Sequence, residues 1–164
     1  MTRIHLLPLL PLVIAAPLLL AACGSGGNSI ELTFSPAFEN REAETTGSAG
    51  IDVASTTAGH GALLDEAGKK IGTFNVTSIV TRKGAKSETR LINAEYGFGA
   101  DMSDSILISG SEEFMTPTGL PLINDQLHYA VIGGTGAYAG AVGECLVKRR
   151  GKNAFTTTCT FTTP

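Results

Sequence analysis

The sequence has no tryptophan, few aromatic residues (6%) and few charged ones (16%). Each shortage narrows what the chain can do. No Gly-x-Ser-x-Gly elbow occurs, so serine hydrolysis has no nucleophile turn to build on. His60 and His128 are the only histidines beyond residue 22, and neither has a cysteine or carboxylate at metal-ligand spacing. No metal or other cofactor is expected. No basic stripe is present to meet nucleic acid or anionic lipid. Glu112 and Glu113 are adjacent, so on a strand they face opposite sides and do not form a carboxylate pair. No stretch reads as an amphipathic helix. What the chain does have is glycine, 20 residues of it, and many threonines. That balance points to a β-rich domain with tight turns.

Residues 1–22 have the three-part grammar of an export signal. Met1-Thr2-Arg3 is a short basic start, and an apolar run over 4–20 follows, broken by Pro8, Pro11 and Pro17. Three prolines and a run shorter than the roughly 20 residues of a membrane span argue against a transmembrane helix. Leu20-Ala21-Ala22-Cys23 resembles a bacterial lipobox. The resemblance implies that Cys23 receives a diacylglyceryl group, that the peptide is cut before it, and that the new N-terminus is acylated. The expectation is an exported protein anchored by lipid to a bacterial membrane. Residues 23–29 then form a flexible tether and 30–164 the folded domain. Loss of Arg3 with the signal leaves 11 basic residues against 15 acidic ones.

Short β-like runs separated by turn residues fill the rest: 29–34, 60–64, 70–81, 87–98, 105–114, 125–132, 141–149 and 153–162. Eight strands with hairpin-length connections predict an all-β domain, and eight antiparallel strands can close into a barrel. The stretch 35–59 is too polar and too long for a hairpin loop. It is expected to be an insertion, holding an extra strand near 50–55 or forming a flap over one mouth. Cys145 and Cys159 flank the last turn, and a three-residue loop at 151–153 sets them opposite each other. An exported chain permits a disulfide there, against the alternative of two buried thiols packed as small apolar residues.

The segment Gly133-Gly134-Thr135-Gly136-Ala137-Tyr138-Ala139-Gly140-Ala141-Val142-Gly143 is the strongest internal motif. A dinucleotide-binding reading would need a helix after the glycines, whereas β-like residues follow. A bent strand-to-strand crossing, with Tyr138 plugging one end of the core, suits the sequence better. Together with Tyr129-Ala130-Val131-Ile132 before it, the segment resembles the penultimate hairpin of the allene oxide cyclase and dirigent-like barrels. Lys70-Ile71-Gly72, the turn at 82–86 and Glu95-Tyr96-Gly97-Phe98-Gly99 follow in that family's order.

The resemblance implies an eight-stranded antiparallel barrel with a central apolar cavity that orients or cyclises a small apolar molecule. It places Glu31 at the family's first-strand acid, with Thr33 where an asparagine is expected, and Ser78 at the position of a later-strand cysteine. Glu31 and Ser78 are therefore the candidate catalytic residues. Glu31 faces solvent instead if the strand register slips by one. His128 and Tyr129 alternate on one strand, so one of them faces the interior as a ligand contact. A ligand carrier of lipocalin type, or an envelope protein docking through 35–59, is the rival to an isomerase or cyclase.

Overall fold

A computed structural model describes residues 29–44, 52–115, 121–152 and 154–164. The export segment and Cys23 lie outside them. Eight strands account for most of what is described: β1 (Ser29–Glu44), β2 (Thr56–Leu64), β3 (Lys70–Lys83), β4 (Glu88–Phe98), β5 (Asp104–Phe114), β6 (Gln126–Thr135), β7 (Val142–Arg149) and β8 (Phe155–Thr162). Each pairs with the next, and β1 closes on β8, giving a complete antiparallel barrel with no free edge. The expected fold class is the observed one.

Side-chain alternation explains the closure. On β1, Ile30, Leu32 and Phe34 turn inward while Glu31 and Thr33 face water. On β3, Phe74, Ser78 and Val80 are buried, and on β8 Phe155, Thr157, Cys159 and Phe161 are. Cys145 and Cys159 stand directly opposite each other on β7 and β8, and a disulfide joins them inside the barrel wall. A cross-link closing so short a loop stabilises by about 3 kcal/mol, chiefly through the unfolded chain.

The 35–59 insertion is corrected by the structure. β1 runs on to Glu44 and β2 starts at Thr56, so most of that stretch is a long hairpin. Residues 52–55 form a turn rather than an extra strand, and 45–51 lie outside the described residues. The segment looks like a loop because Glu39, Asn40 and Glu42 are polar, yet all three sit on an exposed outer strand face. A bulge between Phe38 and Asn40 shifts the register there, and Arg41 turns toward the cavity mouth as a result while staying exposed.

The two ends of the barrel are built differently. The turns after β2, β4 and β6, together with the start of β1, define one end. The glycine motif closes it. Gly136 adopts φ +55°, and a single 3-10 turn (Gly136–Tyr138) follows, with the Ala137 amide donating to Asp104 Oδ1 at 2.8 Å. Tyr138 then lies edge-on to Phe98 at 5.5 Å and to Phe161 at 5.6 Å. The expected plug is there. At the other end, the last residues of β1, β3, β5 and β7 and the first of β2, β4, β6 and β8 surround a mouth.

Candidate ligand cavity

A cavity of about 100 Å³ occupies the barrel between its middle and this mouth. Its deep part is on the scale of a single ring, so a larger ligand would extend through the mouth. Its wall is largely apolar and includes Phe38, Phe74, Val76, Ile92 and Leu127. Gly59 is part of that wall because a Cβ there would strike the Phe38 ring, so glycine leaves room for an aromatic to line the space. Gly110 does the same for Tyr129, whose ring lies against β5.

Two phenols face this apolar space. Tyr96 is wholly enclosed, and burial pushes its pKa up to about 12. Thr157 Oγ1 beside it slightly offsets that shift, yet meets no partner at hydrogen-bonding geometry. Burial also raises Tyr129, with smaller contributions from Tyr96 and Glu112. Both phenols therefore stay protonated through the physiological range and act as neutral hydrogen-bond donors.

The mouth is polar. Arg90, 1% exposed, projects inward from β4 and is held by Glu88, its neighbour two residues earlier on the same face. Arg90 Nε donates to Glu88 Oε1 at 2.7 Å. Its Nη1 donates to Thr57 Oγ1 and to Ser78 Oγ, each at 3.0 Å. Arg149 braces the rim by donating to the backbone carbonyls of Pro121, Gly151 and Lys152. Arg41 completes the group. Its pKa is lowered first by burial and then by repulsion from Arg90 and Arg149, against the pull of Glu88. Among the described residues, three guanidiniums and the Glu88 carboxylate thus meet at the mouth.

The residues expected from sequence divide clearly. Ser78 and Tyr129 line the cavity. Glu31 does not, because it pairs with Thr160 on the outer face, exposed to solvent. The placement of Glu31 toward the cavity is thereby corrected: Ile30 and Leu32 take the inward positions on either side of it. His128 is corrected in the same way. Leu127 and Tyr129 face in, so His128 is exposed outside, its backbone N–H donating to Glu112 Oε1 at 3.0 Å. That carboxylate stands in where the β5–β6 ladder ends, beyond the Ser109–Ala130 pair. His60 is also exposed. Among the described residues no cluster of three or more metal-binding side chains occurs.

Thr57, Glu88, Arg90 and Arg41 were missed. For Glu88 and Arg90 a signal existed: the period-two run Glu88, Arg90, Ile92, Ala94, Tyr96, Phe98 puts two charges on the apolar face. Arg41 had no such signal, since the bulge that turns it inward breaks the alternation.

No family model matches the sequence, and no curated protein matches it. Solved structures do share the fold. A pyocyanin demethylase superposes with a TM-score of 0.66 at 18% identity, over 81% of this chain and 100% of that one. AbnU, an exo-specific intermolecular Diels-Alderase, gives 0.61 at 13%, over 82% and 98%. A pterocarpan synthase dirigent protein gives 0.61 at 15%, over 84% and 90%. At these identities the likeness is one of architecture, and the chain has the cyclase and dirigent-like barrel.

Proposed function

We propose that this chain is an exported, lipid-anchored barrel that holds one small apolar molecule and directs its cyclisation or isomerisation. The observation that carries the ligand reading is the apolar cavity in the barrel, furnished with neutral donors and bordered at its mouth by arginines. Proteins of the same architecture are named for a demethylation, a Diels-Alder reaction and a pterocarpan synthesis, which supports chemistry on small organic molecules.

Among the described lining residues there is no carboxylate, imidazole or thiol. Those residues therefore offer no base for proton abstraction near neutral pH. Acceleration would come from holding a reactive substrate in one conformation, with hydroxyl donors set against the oxygen where charge develops. The same lack favours a second reading, a carrier that releases its ligand unchanged.

Native mass spectrometry of the purified protein tests the ligand reading, with a stoichiometric small-molecule adduct as the expected result. A barrel that never retains or binds an apolar molecule would remove it. Recovery of a rearranged product after incubation separates enzyme from carrier. Anchoring rests on Leu20-Ala21-Ala22-Cys23 and has its own test. Cys23→Ser should leave an unprocessed precursor without lipid label, and normal maturation of that variant would remove the anchor.

A further inference from the structure

We propose that the Thr57 and Ser78 hydroxyls form a paired donor site for one oxygen of the bound molecule, a carbonyl or enolate oxygen, with Arg90 as the positioning residue. The inference rests on the cavity reading above and specifies the chemistry of its ligand.

Hydrogen counting carries the argument. A guanidinium has donors and no acceptor, and its Nη1 carries two N–H bonds. Arg90 gives one to Thr57 Oγ1 and the other to Ser78 Oγ, both at 3.0 Å. Each hydroxyl oxygen has thus accepted a bond from a cation, and its own hydrogen is left to donate. No acceptor for either hydrogen occurs among the described residues. Both side chains line the cavity, so the open direction is toward a ligand.

Register brings the two together. Thr57 and Ser78 are direct partners across β2 and β3. Side chains so paired on one face lie about 5 Å apart at Cβ, close enough for two hydroxyls to converge on one acceptor atom. Accepting a bond from a guanidinium polarises each hydroxyl and strengthens it as a donor. Glu88 fixes the guanidinium from its far side. The Arg90 guanidinium, with Arg41 and Arg149 nearby, suits an oxygen that bears or develops negative charge. The apolar remainder of the wall calls for a ring or chain attached to that oxygen. A phosphate or a polyol would leave most of its polar groups unpaired there.

Acetophenone and ethylbenzene, added to the full chain, test the site because they differ by a single oxygen. Acetophenone should bind roughly tenfold more tightly, and its carbonyl stretch should move to lower wavenumber on binding. Ser78→Ala and Thr57→Val should each cost roughly three- to tenfold in acetophenone affinity and weaken the band shift. Thr57→Ser should retain both. Ethylbenzene should bind every variant at least as tightly as it binds the unaltered chain, which reports an intact cavity. Equal affinity for the two probes, or a carbonyl band unmoved in the unaltered chain, overturns the hydroxyl site and leaves the cavity standing. Failure of both probes to bind overturns the cavity reading and this inference with it.

Discussion

The two ends of this barrel obey the same alternation and put opposite chemistry inside. At the plugged end the inward positions hold Phe34, Phe98, Tyr138 and Phe161, packed edge to face with centroids 5.5–5.6 Å apart around Tyr138. At the mouth they hold Glu88, Arg90, Ser78, Thr57 and Arg41. Aromatic rings need only each other, so the plugged end is satisfied by packing. Buried charges need partners arranged in space, and replacing such a set with apolar residues often costs nothing in stability. Keeping a polar network at one end only is therefore best understood through what binds there.

Changes at the mouth, in the core, at the plug and on the outer face sharpen or break that comparison. Arg90→Ala should have the largest effect, about 3–5 kcal/mol of lost stability in urea unfolding, because it strands Glu88 in the interior. The double change Glu88→Gln with Arg90→Met should recover most of that loss while abolishing the preference for acetophenone. A double variant as unstable as the single one would make the pair structural and erase the contrast between the ends.

Alkaline pH gives the next effect. Tyrosine in an unfolded chain ionises near 10, whereas Tyr96 is held up to about 12. Its folded pKa is raised, so the stability tied to its proton is intact below about pH 10. Above that the unfolded chain sheds a proton that the fold retains. Tyr96 alone should then cost about 1.4 kcal/mol per pH unit until about pH 12, and Tyr129, also raised by burial, adds to the fall. Phenolate absorbance followed alongside unfolding would show it, and Tyr96→Phe should make the slope shallower, with Tyr129 supplying the remainder.

Tyr138→Ala should cost about 1–2 kcal/mol through lost ring contacts and leave ethylbenzene affinity unchanged, since the plug is remote from the mouth. Altered ligand affinity in that variant would show that the ends are coupled. Glu31→Gln should do least, within about 0.5 kcal/mol in stability and with no change in binding, as befits a solvated outer position.

Much of the architecture was legible because strand alternation and turn residues are local signals. The last hairpin was readable down to the Cys145–Cys159 pairing. The site was less so. Ile30, Leu32 and Phe34 already assign Glu31 to the outer face, and the likeness to a family with an acid there obscured this. Leu127 and Val131 do the same for His128, leaving Tyr129 inside. The mouth was hidden for a different reason. Thr57 lay in a stretch that its polar neighbours made look like a loop, and Arg41 is turned inward by a bulge. A bulge is a property of the pairing between two strands, which one strand's residues do not announce.

The barrel's start and its mouth lie at opposite poles. Ser29 pairs with Thr162, beside the Tyr138 plug, whereas Thr57 and Arg90 sit a full strand length away. Five residues separate Cys23 from Ser29, a leash that reaches at most about 20 Å. Under the anchoring proposed above, the protein would stand on its sealed base with its entrance turned toward the aqueous compartment. Its cargo would then arrive by diffusion through water, as a sparingly soluble solute captured from solution, and would not slide in sideways from the lipid.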